Sequence, residues 1–78
     1  MKIHVFAILK DYFDEVFEIE NAQVTSIAAL RNELIKVNGS AAIVLNSCRF
    51  AVNEEFVPAD YELKEDEHIY IIPPSSGG

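Results

Sequence analysis

"SIAALRNELIKVNG", residues 26–39, sets Ile27, Leu30, Leu34 and Val37 at spacings of three and four. That is the period of one helix face, so the middle of the chain reads as an amphipathic helix with those four side chains turned inward. Thr25 and Ser26 both suit the N-cap, where a hydroxyl oxygen accepts a bond from an orphan N–H of the first turn. Lys36 near the end and Asn38-Gly39 just past it are matching stop signals.

On the N-terminal side of this helix, "KIHVFAIL" (2–9) is dense in β-branched and aromatic residues and reads as a strand. Its odd positions, Ile3, Val5, Ala7 and Leu9, point one way, and Lys2, His4, Phe6 and Ile8 the other. After "KDYFD", the run "EVFEIE" (15–20) alternates, with Phe17 and Ile19 on one face and Glu18 and Glu20 on the other, which makes the pair a hairpin. On the C-terminal side, "SAAIVLN" (40–46) is too short for periodicity to choose between helix and loop. "CRFAVN" (48–53) reads as a strand with Cys48, Phe50 and Val52 on one face, and "EFV" before Pro58 as its short partner across the "NE" turn. "ADYELKEDE" is an acidic, turn-rich stretch, and "HIYII" (68–72) is a strand ended by Pro73, which has no N–H to donate. The order is ββαβ(β)β: an α+β fold, a mixed sheet of four to five strands with one main helix on one face.

Length and charge bound what such a domain does. A chain of 78 residues buries roughly 60–65% of its unfolded surface, enough for one modest core. Six basic against thirteen acidic residues give a net charge of −7, which argues against nucleic acid, whose phosphates need neutralising, and favours a basic partner or serves solubility. A lone cysteine, Cys48, allows no internal disulfide and suits a reducing compartment, the cytoplasm. The apolar run at the N-terminus is too short to span a membrane and no small-residue cleavage site follows it.

With "FA" in the first strand, "AVN" in the third and "PPSSGG" at the end, the whole chain resembles the small, sulfur-carrying subunits of molybdopterin synthases, which have the ubiquitin-like β-grasp fold. It departs from them in having Ile71 and Ile72 where aromatics often precede the prolines, and Lys10 and Asp11 where the family often has Arg-Glu. The resemblance implies a β-grasp domain over residues 1–72, with the first and last strands side by side at the sheet centre, and a flexible tail over 73–78. It further implies that Gly78 is adenylated by an enzyme similar to ubiquitin-activating enzymes, which uses ATP, and then converted to a thiocarboxylate whose sulfur is the nucleophile. The resemblance implies too that the chain binds no cofactor itself and acts as half of an enzyme with the large synthase subunit, in keeping with the absence of a self-contained active site in its sequence. Gly77 and Gly78 pass a narrow channel without Cβ clashes, Pro73 and Pro74 stiffen the exit, and Ser75 and Ser76 complete the inserted tail.

Since the first and last strands are neighbours in that arrangement, strand parity gathers Phe6, Ile8, Tyr70 and Ile72 into one apolar patch on the open face beside the tail root, a partner surface. The other candidates for chemistry are weak. Cys48 reads as a buried structural thiol, and His4 and His68 as surface residues without metal-ligand spacing, so no metal is expected. Glu62, Glu65, Asp66 and Glu67 read as an exposed acidic turn or a contact for a basic partner. A carrier of another pathway, thiamine-type, a ubiquitin-related modifier, and a β-grasp module with an inert terminus remain open beside the synthase reading.

Overall fold

The computed structural model describes residues 1–20 and 22–74. The central helix, α1, runs Ile27–Val37, and the strands are β1 Lys2–Val5, β2 Val16–Glu18, β3 Arg49–Val52, β4 Glu55–Val57 and β5 His68–Ile72; a second, short helix, α2, spans Ala42–Ser47. The five strands form one sheet in the order β2-β1-β5-β3-β4. β1 and β5 pair in parallel and every other pair is antiparallel, which is the β-grasp arrangement.

Backbone accounting explains where α1 starts. Its first four N–H groups have no partner within the helix and each must find one outside it. The N–H of Ile27 donates to Tyr61 O, that of Ala28 to Ala59 O and that of Leu30 to Ser26 O; that of Ala29 donates to Ser26 Oγ at 3.1 Å. Ser26, not Thr25, is therefore the cap, and the 59–61 loop finishes it. At the other end Asn38 closes α1 through its N–H to Leu34 O. It also opens a 3₁₀ turn over Gly39–Ala41, its Oδ1 accepting from Ser40 N–H at 3.1 Å.

Ile27, Leu30 and Leu34 are fully buried with Ile3, Val5, Leu9, Leu45, Ile69 and Ile71 in one core between the sheet and the two helices. Val37 is a correction: although its spacing matches theirs, it is 68% exposed. It sits in the last turn of α1, beyond the cover of the core, at the rim of a depression shared with Tyr12, Phe13 and Phe17.

Two further expectations change and one open stretch is settled. The first strand ends at Val5 rather than running to residue 9: Ala7 takes φ 53° and a 3₁₀ turn follows over Ala7–Asp11. Leu9 still reaches the core through this turn, while Ala7 is exposed instead of facing the helix, and Ile8 is exposed on the turn and not on a strand row. Residues 40–46 resolve as the 3₁₀ turn and α2, which bury Ala41 and Leu45 at a spacing of four and leave Ile43 outside. Cys48 caps α2 and does not belong to β3; there Phe50, Ala51 and Val52 are all buried. The β3–β4 hairpin turns on Asn53 and Glu54, both at positive φ, 53° and 67°, the two-residue geometry that matches strand twist.

Candidate functional site

One face of the sheet is covered by α1 and α2; the other is open. Register places Val16 opposite His4, His4 beside Tyr70, Tyr70 opposite Ala51 and Ala51 opposite Phe56. A single row of outward positions thus crosses all five strands. Because side chains alternate along a strand, these residues share the face opposite to Ile3, Phe50, Ile69 and Ile71.

The row is aromatic at its centre. The His4 and Tyr70 rings stack with centroids 4.4 Å apart, and Phe6 lies 6.2 Å from Tyr70. Phe6 is 42% exposed, Val16 45% and Phe56 52%. Arg49 sets its guanidinium carbon 3.9 Å from the centre of the Phe56 ring, a cation–π contact on the edge strand. Beside Arg49, β5 carries Ile72, half-buried, and continues into Pro73 and Pro74. The chain therefore leaves the sheet from a central strand, at the upper border of this apolar face. Ser75, Ser76, Gly77 and Gly78, the remaining expected site residues, lie outside the described residues.

Of the four expected patch residues, Phe6, Tyr70 and Ile72 come together. Ile8 does not share their row, having left the strand with the 3₁₀ turn. The sequence reading missed Val16, Ala51, Phe56 and Arg49. Val16 was within reach, since alternation in "EVFEIE" puts it opposite to Phe17; Phe56 and Arg49 needed the β3–β4 and β3–β5 registers.

The charge of the face differs from that of the whole molecule. Among the described residues, its strand positions hold Lys2, Arg49, His4 and His68 and only one acid, Glu18, which pairs with Lys2. His4 Nε2 and His68 Nδ1 are 3.1 Å apart, and their rings stack at 5.3 Å. Burial first, then the His68 and Lys2 charges, hold the His4 imidazole below its ordinary range.

In the acidic turn, Glu67 is engaged rather than free. It accepts from Tyr61 Oη at 2.8 Å and from Lys64 N–H at 2.7 Å, and the bond to Glu67 is the main cause that raises the Tyr61 phenol.

Cys48 is not poised as a nucleophile: it is half-buried, donates Sγ–H to Val44 O at 3.1 Å, and burial pushes its thiol up to about 11. Among the described residues no three His, Cys, Asp or Glu side chains gather as a metal site, and no helix is long and apolar enough to cross a membrane. The arrangement can dock an apolar surface and deliver the chain beyond Pro74 to it.

Comparison with known proteins agrees with this fold. The pattern of the ThiS family matches residues 3–78. A molybdopterin synthase sulfur carrier subunit of Chlamydomonas reinhardtii is 36% identical over 67 residues, covering 83% of this chain and 78% of that protein. In fold the chain is similar to SAMP1 from Haloferax volcanii, with a TM-score of 0.81 at 14% identity, covering 99% of this chain and 97% of that one. It is also similar to a chain in the complex of subunits 1 and 2 of the molybdopterin-converting factor from Helicobacter pylori 26695, with a TM-score of 0.69 at 23% identity over 99% and 96% of the two chains.

Proposed function

We infer that this chain, which belongs to the ThiS family, is the sulfur carrier of a molybdopterin synthase. The observation that carries the reading is the 36% identity to a protein of that name, joined to a chain that leaves an open apolar face through Pro73-Pro74 and carries Gly77-Gly78 four residues on. The domain of residues 1–72 docks on the large synthase subunit through that face, in the cytoplasm, and residues 73–78 enter the partner's site. At the covalent limit of about 3.3 Å per residue the six reach roughly 20 Å.

A carboxylate is a poor electrophile, so Gly78 must first be activated. Its oxygen attacks the α-phosphate of ATP on an adenylyltransferase similar to ubiquitin-activating enzymes, and pyrophosphate leaves. A sulfide-level sulfur then displaces AMP and leaves a thiocarboxylate at the terminus, the nucleophile for the pterin precursor. The chain needs no cofactor of its own for this, because ATP is consumed on the partner.

Intact-mass measurement after incubation with the activating enzyme, ATP and a sulfur source tests the chemistry: sulfur for oxygen adds about 16 Da to the nucleophilic terminus. An unchanged mass would remove any carrier role. Deleting Gly78 should abolish product formation while the affinity for the large subunit persists, because the reactive group moves about 3.5 Å short and displacement by even about 1 Å costs on the order of a hundredfold. Retained product formation would show that the sulfur is carried elsewhere.

A further inference from the structure

The open face holds two imidazoles in direct contact, and the docking reading gives them no task. His4 on β1 and His68 on β5 meet diagonally across the parallel pair, Nε2 to Nδ1 at 3.1 Å. One ring has to donate and the other to accept, so the contact survives with no charge or with one. A second proton removes the acceptor and sets two cations against each other.

The two rings are not equivalent. His4 lies in the apolar row with its ring on Tyr70, which in turn faces Phe6; a partner that covers Phe6, Tyr70 and Val16 covers His4 as well. His68 is exposed at the end of the strand. The charges around them sort the same way. Lys2, on the same strand, opposes a charge on His4; Glu18, across from Lys2 on β2, is the acid on that side. His68 borders a depression with Lys64 and with Glu54, Glu65, Asp66 and Glu67, of which Glu67 is tied to Tyr61 and to the Lys64 backbone. Arg49, on β3, lies opposite Ile72, beyond the row of Tyr70. A proton taken up by His4 therefore sits in the part of the face that a partner covers, with Lys2 opposing its charge.

We propose that docking on this face requires His4 to be neutral, so that binding of the partner is coupled to release of the His4 proton and weakens as the pH falls. The inference rests on the reading of the open face as the surface for the large synthase subunit. Its physical basis is that covering the His4–Tyr70 stack strips water from an imidazolium whose hydrogen-bond contact is another imidazole and whose charge Lys2 opposes. Each proton expelled on docking changes the association constant by at most tenfold per pH unit.

The test is calorimetric titration of the full chain with the large synthase subunit at about pH 7 and about pH 5, reading for each variant the ratio of its own two constants. For the wild type the constant should fall from the higher to the lower pH, by more than in His4→Phe, after correction for buffer protonation. For His4→Phe, which keeps a ring on Tyr70 and cannot take a proton, the ratio should approach that of the partner's own groups alone. Imidazole resonances of the free chain provide a second readout: His4 should titrate below the ordinary histidine range, and His68→Gln should raise it. Equal ratios in wild type and His4→Phe, or a His4 titration indifferent to His68, would overturn the inference while leaving the docking surface intact. No binding by any of these proteins at either pH would sink the docking reading and the inference with it.

Discussion

At the scale of single residues, the open face separates what the free domain tolerates from what a partner does. Phe6 has nearly half its surface in water and Tyr70 is half-buried, so Phe6→Asp or Tyr70→Asp introduces a charge that stays hydrated in the monomer and becomes desolvated on docking. We expect either variant to melt close to the wild type and to lose about 2 kcal/mol or more of binding, roughly thirtyfold, as for a central interface anchor. A melt and a calorimetric titration of the same sample check this, and an unfolded variant would overturn the assignment of faces. Cys48 makes the opposite kind of claim. Its thiol is raised from 9.0 to about 11 by burial, so it stays protonated at neutral pH and should alkylate slowly until the protein unfolds. The unfolded thiol ionises first, so its contribution to stability is complete below pH 9.0 and is lost as the pH rises through about 11. The denaturation midpoint should fall across that window, and less so in Cys48→Ala.

At the scale of elements, α1 carries the core through three residues and not four. Leu30 is fully buried, and Leu30→Ala should cost about 2–5 kcal/mol as a large-to-small change in a packed site. Asn32→Ala on the exposed side and Val37→Ser in the last turn should each stay within about 0.5 kcal/mol. Denaturant titrations of the three decide the register: a Val37 effect as large as that of Leu30 would restore the four-residue face. The β3–β4 turn permits a gain. Glu54 holds φ at 67°, where a Cβ is strained, and Glu54→Gly should raise stability by about 0.5–1 kcal/mol as the turn becomes Asn-Gly. A lower midpoint would mean that the Glu54 side chain contributes more than its backbone strain costs. The Lys10–Glu15 pair, 4.0 Å apart and exposed on both sides, should contribute little.

At the scale of the whole molecule, every residue of the core cluster lies between Ile3 and Ile71. Removing residues 75–78 should therefore leave a single cooperative melt at an unchanged midpoint; a shift of several degrees would mean that the tail packs on the domain. Legible along the chain were the elements that repeat a period, namely the Ile27–Leu30–Leu34 face, the alternation of Ile69 and Ile71 with Tyr70, and the inward Ile3 and Val5, together with the family, through Pro73 to Gly78. These are local signals, written in the spacing of neighbours. Where continuous apolar runs break was settled by packing in three dimensions. In "VFAIL" every residue is apolar, so alternation is invisible, and only packing chose a turn at Ala7 that still sends Leu9 inward. Packing also ended the usefulness of the α1 face one turn before Val37, where the core stops, and folded 42–47 into a helix because Ala41 and Leu45 had a core to enter. Above all it assembled the open face. Val16, His4, Tyr70, Ala51 and Phe56 are scattered between residues 4 and 70, and they form one row only because strand register, set by the burial of the opposite face, puts them side by side.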